Sequence, residues 1–340
     1  MRRAFVCGCR GLVLGDDERG FLRESEPFGV ILFKRNVESP AQLCALIRNI
    51  RECLGRNDAE VLVDQEGGRV QRLGPPHWRA YPAAARLAGT DLPFARKGTL
   101  IRNVSRLIAR DLRETGISID CAPVLDVRVS GAHDVIGNRA YGGDPQTVAA
   151  LGRSAALGLL DEGILPVMKH APGHGRAMVD SHKALPIVSA GLAELEETDF
   201  RPFAANADLP AAMTAHVVYK SLDEAPATLS SSIVADIIRK KIGFSGLLFS
   251  DDLSMQALSG GLGERAAAAF TAGVDIALHC NGDLVEAEAV AAASPVLAGE
   301  SLARAESASL RRTSAMAEAD SSFDPVEAWA EIAAALAIAA

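Results

Sequence analysis

The chain has 340 residues, of which 49% are hydrophobic, 23% charged and only 5% aromatic. This globular balance excludes disorder over most of the length and implies a core of Ala, Leu, Val and Ile. A formal net charge of -8 disfavours broad nucleic-acid binding, and no apolar run is long and uncharged enough to span a bilayer.

Taken in order, short β-rich runs alternate with longer helical ones. The opening MRRAFVCGCRGLVLGDDERG carries a short apolar stretch interrupted by Arg10, and reads as a first strand rather than a signal peptide. Strands are expected at 4–9, 29–33, 59–63, 118–122, 165–169, 211–215, 246–250 and 275–279. Several are continuously apolar, as parallel strands buried on both faces are. Helices are expected at 40–53, 94–114, 145–162, 230–240, 263–271 and 284–293. Eight strands alternating with helices give an α/β fold and favour a closed TIM-type (β/α)8 barrel over an open sheet. The barrel is assigned to residues 1–297. Residues 298–340, Ala/Glu-rich, are read as a helical extension packed on it, without candidate chemistry. The six cysteines, Cys7, Cys9, Cys44, Cys53, Cys121 and Cys280, are scattered, which fits a reduced cytoplasmic protein. Cys7 and Cys9 have no second ligand pair at zinc spacing, so they read as buried strand thiols.

Polar residues recur just after the strands: Asp64, Asp126, Lys169 and His170, His216, Asp251 and Asp252, and Asn281. In a parallel barrel those ends form the active-site face. An Asp after one strand is an ordinary cap or turn residue, but recurrence at six strand ends points to one pocket. In the run DQEGGRVQR, Asp64 can accept from neighbouring sugar hydroxyls and Arg72 can donate to them. The glycine spacing there fits neither a P-loop nor a dinucleotide fingerprint. The loop 169–182 holds three of the seven histidines. Within it Asp180 and His182 stand two apart, so a carboxylate can hold one imidazole nitrogen while the other serves as acid and base. A metal site on His170, His174 and His182 is the rival. Alone, an Asp-x-His pair would be a turn. Either Asp251 or Asp252 can be a nucleophile; pattern alone does not choose.

Together the segments GVILFKRN, VDQEGGRVQRL, CAPVLDV, IGNRAYGGDP, KHAPGHGRAMVDSH, MTAHVVY and FSDDLSM, in this order over most of the chain, resemble the glycoside hydrolase family 3 β-N-acetylhexosaminidases. The type is the single-domain bacterial one that recycles cell-wall muropeptides. The resemblance implies a TIM-like barrel and retaining, two-step hydrolysis. It implies Asp251 as nucleophile, His182 as acid/base supported by Asp180, and sugar contacts from Asp64, Arg72, Arg139, Lys169 and His170. It implies no cofactor or metal, a small glycan or muropeptide as substrate, and no nucleic acid or membrane partner; oligomeric state stays open. Ala171 stands where an aromatic is usual, Arg176 where Asp is frequent, and Ala140 and Tyr141 where Ser and Phe are. A phosphorylase on the same fold, a non-catalytic amino-sugar sensor and a metallohydrolase are the alternatives.

Overall fold

The computed structural model describes residues 2–181, 184–319 and 321–337. Eight parallel strands close into a barrel, each pairing with its neighbours in chain order and the last with the first. They are β1 (Arg3–Gly8), β2 (Pro27–Leu32), β3 (Glu60–Val63), β4 (Ile119–Asp120), β5 (Leu165–Ala171), β6 (Ala211–Thr214), β7 (Leu247–Asp252) and β8 (Ile276–His279). Val61 pairs with Val30, Ile119 with Leu62 and Phe5 with Ala277, so pairing continues through closure, with register shifts between Arg3 and Val6, Met168 and Ala171, and Ile276 and Leu278. All eight expected strands are present. A further pair of two-residue strands, Ile187–Val188 and Val218–Tyr219, lies outside the barrel.

Strand side chains alternate between two cores, as a pleat of period two requires. Val6, Ile31, Leu62, Ile119, Val167, Met213, Phe249 and Leu278 fill the interior. Phe5, Val30, Val61, Val63, Ala212 and Leu248 face the helical shell. Burying each such Val, Leu, Ile or Phe contributes about 1.5–3 kcal/mol. The shell helices match the apolar periodicity: Pro40–Leu54, Phe94–Thr115, Pro145–Asp161, Ile233–Lys241, Leu262–Ala272 and Leu284–Ala293. The fourth is π-wound. Helix Pro40–Leu54 starts where the Ser39 hydroxyl accepts from Gln42 N and stops at Gly55, whose φ of 60° suits glycine. Helix Asp16–Ser25 was not anticipated.

Helix Gly299–Glu318 lies at the N-terminal mouth of the barrel. Its Ala305 and Ala308 join the interior core. Arg312 pairs with Glu60 at the start of β3 at 2.9 Å, and Arg304 pairs with Asp275, just before β8, at 2.9 Å. That mouth is therefore closed by structural ion pairs. The chemistry collects at the opposite, C-terminal mouth. Cys7 lies in β1 and Cys9 just beyond it; both are buried, and burial pushes the Cys7 thiol up to about 12.

Candidate active site

A cavity of about 340 Å3 opens at the C-terminal mouth. This is near the lower end of ligand-site volumes, room for one sugar ring and its substituents. Asp64, Arg72, Arg139, Lys169, His170, Asp251, Asp252 and Asn281 all line it. Two residues expected there do not. Asp126 and His216 are fully buried and hold the walls from behind. Position after a strand locates a residue along the barrel axis; it does not decide which way the side chain turns.

The floor is a chain of alternating charges. Lys169 donates to Asp64 at 2.8 Å and lies 2.7 Å from Glu66. Arg72 donates to the other Asp64 oxygen at 2.9 Å. Arg139 grips Glu66 through two bonds of 2.8 and 2.7 Å. Glu66 was missed in the sequence because its partner stands 73 residues away; the acid inside DQEGG was the available signal. Burial alone would push Glu66 up, but Arg139 and Lys169 outweigh it and hold the carboxyl at about 2. Asp64 is likewise held below the ordinary carboxylate range: burial pushes it up, and Lys169 and Arg72 more than reverse that. Three cations against two carboxylates leave the floor one positive charge in excess. The Arg72 Nε is buried without a partner among the described residues, a donor available to a ligand.

Asp126 organises the root of the 169–182 loop. Its Oδ2 takes His170 Nδ1 at 2.7 Å, and its Oδ1 accepts from His170 N at 3.2 Å and His174 N at 2.7 Å. Burial pushes Asp126 up, but His170 and the amide of His174 bring it down to about 2. A carboxylate on Nδ1 leaves Nε2 as the other polar atom of the His170 ring. His174 is buried, and its Nε2 lies 3.1 Å from Ser181 Oγ, so the root of the loop holds its far end. Burial and the neighbouring His170 push the His174 imidazole down to about 4, so it is neutral at pH 7.

The loop is clamped from outside as well. Arg176, the departure noted in the sequence, pairs with Asp199 at 2.7 Å and Glu194 at 2.6 Å and donates to Thr198 at 2.9 Å. Gly175 passes so near Val127 that a Cβ would stand 1.8 Å from its carbonyl oxygen, so only glycine fits. The Tyr219 hydroxyl donates to Gly173 O. Asp180 lies half-buried near the tip, its carbonyl accepting from Ala184 N at 3.0 Å. His182, the expected acid/base, lies outside the described residues.

Asp251 and Asp252 end β7, and their surroundings separate them. Asp252 accepts three bonds, from Ser254 N at 3.0 Å, Ser254 Oγ at 2.7 Å and Cys280 N at 3.1 Å. Its backbone is held too, with His216 Nε2 lying 2.9 Å from the carbonyl oxygen. A carboxylate so occupied is a turn-builder. Asp251 lines the same cavity and takes Asp252 N at 2.8 Å on one oxygen.

These pKa directions fix an acid limit. Glu66 and Asp126 titrate near 2 in the fold, below the 4.5 and 3.8 of the free groups. Their ionised forms therefore stabilise the fold fully above about pH 5, and that stability is lost as pH falls toward 2. The melting temperature should drop steeply across this window. Glu66→Gln should flatten part of the drop; an unchanged slope in calorimetry would contradict the assignment.

Residues 14–312 match the family model for the glycosyl hydrolase family 3 N-terminal domain. The chain is 41% identical over 275 residues to a β-hexosaminidase of Thiobacillus denitrificans, covering 80% of this chain and 76% of that one. It is 40% identical over 299 residues to a β-hexosaminidase of Pseudomonas aeruginosa, covering 86% of each. The crystal structure of NagZ from Neisseria gonorrhoeae in complex with N-trifluoroacetyl-D-glucosamine superimposes with a TM-score of 0.85 at 32% identity, covering 98% of each chain.

Proposed function

The chain belongs to glycosyl hydrolase family 3, as a β-N-acetylhexosaminidase, and we propose that it is a retaining enzyme that removes terminal β-linked N-acetylglucosamine from muropeptides or related glycans. Asp251 attacks the anomeric carbon while His182 gives its proton to the departing glycosidic oxygen. The bond to the aglycone breaks, and the sugar is left esterified to Asp251. His182, now neutral, takes a proton from water; the hydroxide displaces Asp251 and the sugar leaves with its original β configuration. Asp180 holds the imidazole. The observation that carries the reading is the difference between the two neighbouring acids. Both line the cavity beside the charged floor, but three donors hold the Asp252 carboxylate in the turn, which supports Asp251 as the nucleophile.

On that floor the sugar hydroxyls are held by Asp64, Arg72, Arg139, Lys169 and His170. Lys169 directs one of its three N–H donors to Asp64 and pairs with Glu66, leaving donor capacity for substrate. Six cysteines without a disulfide suit a reducing cytoplasm. Aryl β-glycosides of N-acetylglucosamine and of glucose test the substrate: the acetamido sugar should be cleaved strongly in preference, and equal rates would overturn the assignment.

Arg139→Ala removes a donor from the sugar and a partner from Glu66. KM should rise by about tenfold or more, with a smaller change in kcat if the lost contacts are the same in ground and transition states. A fall in kcat at unchanged KM would remove Arg139 from substrate binding.

A further inference from the structure

A second cleft, of about 800 Å3, adjoins the sugar cavity. The two share a thin wall. Phe33, Val70 and Arg139 line the first, and their chain neighbours Lys34, Gln71 and Asn138 line the second. At three places, then, a single stretch of backbone divides them. The cleft is floored by the loop after β3 and closed by Trp329 of the C-terminal helix Pro325–Leu336.

Its charge is unlike that of the rest of the molecule. In a chain of net charge -8, no Asp or Glu among the described residues lines this cleft, and two of their cations do, Lys34 and Arg86. Among the described residues neither is in an ion pair. Lys34 donates to Arg72 O at 3.5 Å and Arg86 to Leu336 O at 2.9 Å, both neutral acceptors. In the sugar cavity Arg72, Arg139 and Lys169 are matched to Asp64 and Glu66, while Arg35 donates to the carbonyls of Cys9 and Cys280. The wall is rigid: Gln71 spans Leu73 O, Arg79 O and Tyr81 N, and the Tyr81 hydroxyl is fixed on Asp111 at 2.6 Å. Trp329 stands edge-on to Tyr81, ring centroids 6.1 Å apart, and offers an amphipathic surface. Cations bonded only to neutral carbonyls beside a fixed aromatic wall suit an anionic chain with some apolar length.

We propose that this cleft is a subsite for a carboxylate-bearing extension of the aglycone, reached over the shared wall while the terminal sugar occupies the first cavity. The inference rests on the first cavity being the sugar site. The test uses a matched pair of aryl β-N-acetylglucosaminides whose ring carries a flexible chain ending in carboxylate or in carboxamide. Two exposed attractions should lower KM for the carboxylate about three- to tenfold at low ionic strength. The advantage should vanish in about 1 M salt, where the screening length is about 3 Å. Lys34→Gln with Arg86→Gln should abolish it while leaving kcat/KM on the unsubstituted aryl glycoside unchanged. Equal KM for both probes in the wild type, or a preference that survives both substitutions, overturns the subsite alone. Failure to cleave the unsubstituted glycoside overturns the proposed function and the subsite with it.

Discussion

Replacing Asp251 with Asn should lower kcat on an aryl β-N-acetylglucosaminide by about ten-thousand-fold or more, because an amide oxygen cannot form the glycosyl ester on which the two-step route depends. The fold should survive: Asp251 lines a cavity, and its Oδ1 bond to Asp252 N can be kept by an Asn carbonyl oxygen. Asp252→Asn should be much milder. With its oxygen in the Oδ1 place, an Asn keeps Ser254 N and Cys280 N, and its NH2 meets the Ser254 hydroxyl, which can turn to accept. The turn should lose about 1 kcal/mol or less, and a smaller share of the chemistry is lost. Two measurements separate the neighbours: kcat of each variant at a temperature where both are folded, and the peptide labelled by a fluorinated trapping sugar. A label on Asp252 would reverse the assignment.

What the sequence made legible follows from how local each signal is. A buried parallel strand is a short, continuous apolar run, so LPVM and GLLFS announced β5 and β7 without reference to anything else. Helix Asp16–Ser25 escaped because its only large apolar residues are Phe21 and Leu22, too few to set a helical period. It is held largely by its start, where Glu18 accepts from Gly15 N and Arg10 N, both at 2.9 Å. In the site, residues such as Asp64, Lys169 and His170 were legible because polar groups recur just after the strands. Glu66 was not, since its role lies in Arg139 and Lys169, far along the chain. Asp126 and His216 were placed at the right height and on the wrong side of the wall. The Asp251/Asp252 ambiguity was real in the sequence; the three hydrogen-bond donors folded around the second carboxylate support the choice of Asp251 proposed above.

His182→Ala should divide substrates by leaving group. A sugar aglycone departs as a poor alkoxide and needs a proton in the transition state, whereas a dinitrophenolate leaves with little help. General acid assistance is worth roughly a hundred- to ten-thousand-fold, so hydrolysis of a disaccharide or muropeptide should fall by about that factor. The glycosylation step with a dinitrophenyl glycoside should fall far less. Asp180→Ala should act in the same direction and more weakly, because an imidazole without its carboxylate loses orientation and part of its basicity. Ser181→Ala provides an internal control. Ser181 lies between the two and is held by His174 at 3.1 Å, so releasing it should loosen the loop, lowering rates on the poor leaving group while the acid itself remains. If Asp180 and His182 were only a turn, either both variants would retain normal rates or all leaving groups would suffer alike through misfolding. Pre-steady-state rates on two leaving groups of different acidity decide between these outcomes, and parallel losses on both would remove His182 from the chemistry.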